Sequence, residues 1–294
     1  MSNTKKIIIT GASGFLGSHL VKRLRDDERY EVHALSSKPD ILREKIGGEN
    51  VEYLHKDMLN TRMLKDSIVI SCAYPRNSTG TAIADGLKYI QKVFEVAVES
   101  SASAIINISS QSVYSQQRTE VATEETPVCL ENPYAVGKYA VELMLESDCK
   151  GSKTAFTSLR MASLIGPGFE QRIVNRFVRQ MLNQELITIV RQGKKMGFLD
   201  VEDAVSAIIS VTNVEAASWQ SIYNVGNNEG HTVEEIFNVV ASELKNQIEI
   251  ISPIIETGSD ISSTAVSYER LNGDTGFNPV IDLRKSVKKI IAQM

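Results

Sequence analysis

The sequence predicts an α/β fold: a doubly wound parallel sheet with a smaller α/β lobe interleaved from the C-terminal part of the chain. Three observations carry that prediction. Short apolar runs alternate with amphipathic stretches along most of the 294 residues, as strands do when helices cross over between them. A glycine-rich turn follows the first apolar run without a gap. No repeat, low-complexity tract or tether rich in Pro, Gly or Ser divides the chain, so a second lobe has to be built from segments that leave the sheet and return to it.

Taken in order, Ile7–Ile9, Val32–Leu35, Val51–Leu54, Ile68–Ser71 and Ala104–Ile108 read as strands. Between the first two, Leu16, Leu20 and Leu24 recur every fourth residue and give a helix one apolar stripe. Ala82–Ser100 and Pro133–Ser147 read as longer helices, and Thr154–Leu159, Leu186–Val190, Ile222–Val225 and Ile248–Ile251 as later strands. Val201–Val211 and Thr232–Leu244 complete the helices, the second opened by a capping box of Thr232 and Glu235.

Composition narrows the function classes. A net charge of −4 argues against a nucleic-acid surface, which needs a basic excess. Cys72, Cys129 and Cys149 are scattered, and so are His19, His33, His55 and His231, so neither a disulfide framework nor a metal site is expected. The N-terminal apolar run is broken at Gly11, too early for a signal peptide. No apolar stretch approaches the roughly 18 residues that span a bilayer. A cytoplasmic protein without a membrane partner is the expectation.

The turn after the first strand reads Thr10-Gly11-Ala12-Ser13-Gly14-Phe15-Leu16-Gly17 and opens a helix. In a Rossmann-type unit the first glycine makes the tight turn, the second lets backbone approach a pyrophosphate, and the third packs helix on strand. Exposed amides and the helix dipole then favour the anion. At the end of the second strand an Asp or Glu would hold the ribose of NAD and repel a 2′-phosphate. This chain has Ser36, Ser37 and Lys38 instead, which favours NADP while leaving NAD open. Asp57, after the third strand, is a candidate for the adenine edge.

Tyr134 and Lys138 stand four apart near the start of the helix at Pro133, a spacing that puts both on one face. A phenol with a pKa of about 10 is a poor base at neutral pH, and a neighbouring ammonium favours its phenolate. Such a tyrosine takes a proton from an alcohol as hydride leaves, or returns one on reduction. Upstream, the fifth strand runs into Ser109-Ser110-Gln111-Ser112-Val113-Tyr114, at the carboxyl end of the sheet where ligands bind. A hydroxyl at Ser110 can polarise the substrate oxygen.

TGASGFLG at 10–17, SSQSVY at 109–114, PYAVGK at 133–138, LRMASLIGPG at 159–168, FLDVEDAV at 198–205 and YNVGN at 223–227 together resemble the extended short-chain dehydrogenase/reductases of the NAD-dependent epimerase/dehydratase family. Most of its members act on sugar nucleotides, and the resemblance covers nearly the whole chain. It implies Ser110, Tyr134 and Lys138 as a catalytic trio, with Lys138 also touching the nicotinamide ribose. It extends the cofactor contacts to Ser13, Phe15, Leu16, Asp57, Met58, Cys72, Ala73 and Tyr74. It also implies an NAD(P)-binding core at 1–160, with residues around 198–227 returning to it, and a substrate-binding lobe from 161–197 and 228–294. A homodimer through the helices Ala82–Ser100 and Pro133–Ser147 follows from it too.

Departures from the family pattern bear on the substrate. Gln111 and Ser112 replace the acidic pair that dehydratases use to eliminate water, so both become substrate-side candidates without dehydration. Ser163 stands where an asparagine usually holds the diphosphate, and Met196, or Lys194 or Lys195 if the loop is shifted, where an arginine does. Tyr74 replaces a second small residue after the fourth strand. The leading expectation is a 4-epimerase or 4-ketoreductase of a nucleotide sugar working by tyrosine-assisted hydride transfer. Reduction of a non-nucleotide carbonyl is the second, motivated by Ser163 and Met196. A redox-sensing regulator that binds NAD(P) without chemistry is the third, and the pairing of Tyr134 with Lys138 argues against it.

Overall fold

Ile7, Ile8 and Ile9 have no exposed surface, which is what an unbroken apolar run becomes in a parallel sheet covered on both faces. They form the middle of β1 (Lys5–Thr10) in the computed structural model of the chain, which describes residues 4–75, 79–191, 193–244, 254–256 and 261–294. The further strands are β2 (Tyr30–Ser36), β3 (Val51–His55), β4 (Ile68–Ser71), β5 (Ala104–Ser110), β6 (Ala155–Met161) and β7 (Ser163–Ile165). After them come β8 (Ile189–Arg191), β9 (Lys194–Lys195), β10 (Phe198–Asp200), β11 (Ile222–Val225), β12 (Ile254–Glu256) and β13 (Ser262–Ser263). The helices are α1 (Phe15–Leu24), α2 (Pro39–Ile46), α3 (Thr61–Leu64), α4 (Gly80–Glu99), α5 (Pro133–Cys149), α6 (Ile173–Leu182), α7 (Val201–Thr212), α8 (Val233–Leu244), α9 (Glu269–Thr275) and α10 (Leu283–Ile291).

The seven-stranded sheet has the order β11-β6-β5-β4-β1-β2-β3. In register, Ile7 lies between Val32 of β2 and Ile68 of β4. The chain winds outward through β2 and β3 and then restarts on the other side of β1 with β4, so β1 and β4 flank the switch point where α/β sheets bind ligands. On one face of the sheet, Ile8, Val69 and Ile105 pack with Ile90, Val93 and Phe94 of α4 and with Val141 and Leu145 of α5. Burying each such side chain contributes on the order of 1.5–3 kcal/mol. Those two helices are thereby fixed over the strands whose ends carry the site.

The chain divides into two compact units, one of residues 1–113, 130–160 and 208–223, the other of 114–129, 161–207 and 224–294. Three segments, 114–129, 198–207 and 224–227, fall in the second unit where the sequence expectation put them in the core. Residues 114–129 join the second unit because Ala122 bridges to Val266 and its amide donates to Ala265 O at 3.1 Å. Residues 198–207 join it because β10 pairs in parallel with β7. The strand expected at Leu186–Val190 forms later, as β8, and the one expected at Ile248–Ile251 lies outside the described residues.

Within the second unit, Phe177 and Phe237 meet edge to face at 5.9 Å in an apolar cluster that includes Val178, Ile236, Val240 and Val287. The expected capping box is present: Glu235 N donates to Thr232 Oγ1 at 3.1 Å and Thr232 N to Glu235 Oε2 at 2.8 Å. Asp200 accepts from Lys289 Nζ at 2.8 Å and Asp203 from the amides of Val280 and Ile281 at 3.1 and 2.8 Å, so the acidic residues of 198–205 anchor the chain around α10. Among the described residues no helix is long and apolar enough to cross a membrane, and no cluster of His, Cys, Asp and Glu is placed to hold a metal. None of Cys72, Cys129 and Cys149 is joined to another in a disulfide.

Candidate active site

The loop after β1 is shaped by what its glycines exclude. Gly11 has φ of +64°, and a Cβ there would fall 2.6 Å from the Ala73 amide nitrogen. A Cβ on Gly17 would overlap the Gly11 carbonyl. The loop closes through Gly14 N to Gly11 O at 2.9 Å and is tied to β2 by Ala12 N to Leu35 O at 3.1 Å. Gly14 then caps α1 with φ of −71° and no side-chain cap. The helix start therefore offers amides to a ligand. A Gly14 Cβ would stand 3.1 Å from the Gly11 carbonyl oxygen, with no other described atom beyond its chain neighbours within 4 Å.

Gly11 and Gly14 border an open cleft of about 440 Å³ whose walls include Ser13, Ser36, Ser37, Cys72, Ala73 and Tyr74. A dinucleotide fits this donor set, because the cleft runs from an uncapped helix N-terminus to the ends of β2 and β4. Burial pushes the Cys72 thiol up to about 12, so it lines the wall as a neutral group. Leu16 and Gly17 are buried at the start of α1 and are not wall residues of this cleft. Phe15 starts α1 and meets His19 edge to face at 4.8 Å.

The cation expected at the ribose end is placed differently. Lys38 is exposed, and its amide donates to Ser36 Oγ at 3.0 Å, which turns the chain into α2. Among the described residues of the cleft wall the cation is Lys56, with Nζ 5.5 Å from the Tyr89 ring centroid; Asp85 lines the wall as well. Met58 is 54% exposed, and Asp57 is drawn to His55, 3.3 Å away. Neither is a wall residue of this cleft.

Tyr134 and Lys138 lie one turn apart on α5, whose start is secured by Asn132, with Oδ1 accepting from Ala135 N at 2.9 Å, and by Pro133 in the first turn. Lys138 is 6% exposed and donates to Ile108 O at 2.7 Å. Its Nζ lies 5.9 Å from the Tyr134 ring centroid. Burial lowers Lys138 to about 8, so below that pH the site holds an ammonium beside the phenol.

Ser110 ends β5 two residues past Ile108, the residue that takes this ammonium, and its Oγ accepts from Ser112 N at 3.2 Å and Ser112 Oγ at 2.9 Å. Gln111 and Ser112 are buried in the turn that follows. Ser163 sits in β7 and Met196 in an antiparallel bridge with His231. Met196 packs against the apolar cluster of the second unit, a packing role that the sequence expectation did not assign to it.

Beneath Lys138, one turn along α5, Glu142 accepts from Arg160 Nε at 3.0 Å and Nη2 at 2.6 Å and from Ser109 Oγ. Both charged side chains are almost wholly buried, 3% exposed for Arg160 and 6% for Glu142. An arginine inside the strand run Ser158-Leu159-Arg160-Met161 is the sequence signal that such a partner exists, since buried charges are kept only when paired.

The sequence profile of the NAD dependent epimerase/dehydratase family matches residues 7–226. The chain belongs to this family. The uncharacterized UDP-glucose epimerase YtcB of Bacillus subtilis is 23% identical over 303 residues, 96% of this chain and 90% of that protein. The UDP-N-acetylglucosamine 4-epimerase of Methanobrevibacter ruminantium, solved with UDP-N-acetylmuramic acid, superposes with a TM-score of 0.81 at 25% identity, covering 99% and 100% of the two chains. The Bacillus cereus UDP-glucuronic acid 4-epimerase, solved with UDP-glucuronic acid and NAD, gives 0.81 at 19% identity, with 98% of each chain covered. The family's fold is this one, a seven-stranded parallel sheet between helices.

Proposed function

We propose that this family member is a nucleotide-sugar 4-epimerase that oxidises and re-reduces a ring carbinol, with Tyr134 moving the proton and Ser110 holding the oxygen. The observation that carries the reading is the placement of Tyr134 beside the buried Lys138 ammonium, anchored on the strand end that also presents Ser110. A bound nicotinamide would accept and return the hydride. The Lys138 charge favours the phenolate, so Tyr134 can take the hydroxyl proton as the carbon is oxidised and return it to the oxygen when hydride comes back to the other face of the carbon. The related 4-epimerases of UDP-sugars support this substrate class. Incubation with UDP-glucose, UDP-N-acetylglucosamine and UDP-glucuronic acid, each followed by chromatography of the sugar, tests it. Interconversion of C4 epimers without net consumption of NAD(P)H is expected.

A second reading, a 4-ketoreductase, is favoured by Ser36 and Ser37, which leave no carboxylate at the end of β2 to repel a 2′-phosphate. Lys56 on the same cleft supplies a charge-assisted contact of about 1.5–3 kcal/mol, so NADPH is expected to bind roughly tenfold or more tighter than NADH. Fluorescence titration should show Lys56→Ala abolishing that preference and Lys38→Ala leaving it intact. Equal binding of both dinucleotides to the unsubstituted protein would remove the NADP assignment and strengthen the epimerase.

Gly14→Val tests the cleft itself. The φ of −71° accepts a side chain, so the variant is expected to fold, while the new atoms occupy the approach to the helix N-terminus. Calorimetry should find no dinucleotide binding, and unchanged affinity would place the cofactor elsewhere. We also infer a homodimer through α4 and α5. Val136 and Leu143, seven residues apart on α5, are 50% and 49% exposed and lie on one face. Light scattering should give twice the 32.4 kDa chain mass; the monomer mass would exclude the pairing.

A further inference from the structure

The proton chemistry above makes no use of Tyr74, yet three contacts converge on it. The Lys138 ammonium lies 4.2 Å from the Tyr74 ring centroid, nearer than to the Tyr134 ring. Tyr134 meets Tyr74 edge to face, with centroids 5.3 Å apart at 84°. At Gly137, between Tyr134 and Lys138, a Cβ would overlap the Tyr74 hydroxyl, while the ring carbon Cζ would stand 3.3 Å away. The Tyr74 hydroxyl is buried and has no hydrogen-bond partner among the described residues.

We propose that Tyr74 is a positioning residue: its ring caps the Lys138 ammonium and braces the Tyr134 ring, and Gly137 is glycine because the Tyr74 hydroxyl takes the space of its side chain. The physical case is directional. Lys138 makes one hydrogen bond among the described residues, to Ile108 O, which leaves the ammonium free to swing. A ring face at 4.2 Å attracts the cation without accepting a directed proton, and the attraction is strongest where water is excluded. Carbonyl on one side and ring on another fix Nζ and leave its remaining N–H groups to face a bound ligand. The edge contact limits the Tyr134 ring in the same way. The unpartnered hydroxyl adds nothing to this and costs desolvation, so phenylalanine should serve at position 74.

The proposal rests on Tyr134 and Lys138 being the proton-transfer pair, and two measurements separate the two ideas. Gly137→Ala should displace Tyr74 and lower kcat by about 10²-fold with KM little changed, the scale of a catalytic group misplaced by about an ångström. Adding Tyr74→Phe removes the overlapping oxygen and should restore kcat to within about threefold, a coupling that independent sites do not show. An unimpaired Gly137→Ala variant, or a double variant no better than the single, overturns the proposal. The second measurement needs no substrate. In proton NMR the Lys138 ε-methylene signals should be shifted upfield by the ring in the unsubstituted protein and in Tyr74→Phe, and return to ordinary positions in Tyr74→Leu. Ordinary positions in the unsubstituted protein overturn the capping role even if no sugar nucleotide is turned over, whereas absence of turnover alone overturns the assigned chemistry.

Discussion

Tyr134→Phe is expected to lower turnover by about 10²- to 10⁴-fold, the usual worth of a positioned general acid/base, while dinucleotide affinity stays close to its original value. The substitution removes one oxygen and keeps the ring that meets Tyr74 at 5.3 Å, so the fold and the cleft at the end of β1 are undisturbed. Steady-state rates with the sugar nucleotide found active, beside calorimetric titration of the dinucleotide, make the comparison. Turnover within about twofold would take Tyr134 out of the mechanism. The unsubstituted protein should also show a pH dependence of definite sign. Lys138, lowered by burial to about 8, is charged below that pH and neutral above it. Support for the phenolate is therefore lost as pH rises through about 8, and the rate should fall on that side.

The largest stability effect is expected one turn further along α5. Arg160→Met leaves the Glu142 carboxylate buried with its strongest partner gone, a change that costs about 3–5 kcal/mol when a buried pair is broken. Replacing both residues by methionine should recover much of the loss, because two apolar groups of similar length avoid the desolvation of an unpaired charge. Urea unfolding of the three proteins decides it. If Arg160→Met shifts the midpoint no more than an ordinary surface substitution does, the pair contributes little. The pair also bears on the site, because Glu142 holds Ser109 next to Ser110 and sits four residues from Lys138.

How much of this is legible in the sequence follows from what each part of the fold is made of. The first unit reads clearly because strands covered on both faces are unbroken apolar runs, as at Ile7–Ile9, and because a glycine turn between strand and helix has a geometric purpose. The second unit reads poorly. Strands β8, β9, β12 and β13 are two or three residues long, too short for any period to show. Helix α6 starts from Arg172 without a side-chain cap, so no start signal marks it. In the site, Tyr134 and Lys138 are legible because one helix turn relates them. Lys56 is not, because its place on the cleft wall depends on how β3 ends, and no local rule says which of several lysines after a strand will face a ligand. The contact of Tyr74 with Tyr134 and Lys138 joins the turn after β4 to helix α5, far along the chain, and leaves no spacing to read.

The division of the chain into six alternating segments constrains how the protein comes into being. Synthesis at about 5–20 residues per second delivers the chain from its N-terminus. The edge strand β11, at Ile222–Val225, emerges long after β1 has been made. Until then β6, paired with β5 on one side only, is left as the edge of the sheet, and an exposed edge is an aggregation hazard. Neither unit can be excised as one continuous stretch of gene. A truncation that stops before residue 222 should yield a product that chaperones retain or proteases clear, rather than a smaller working domain.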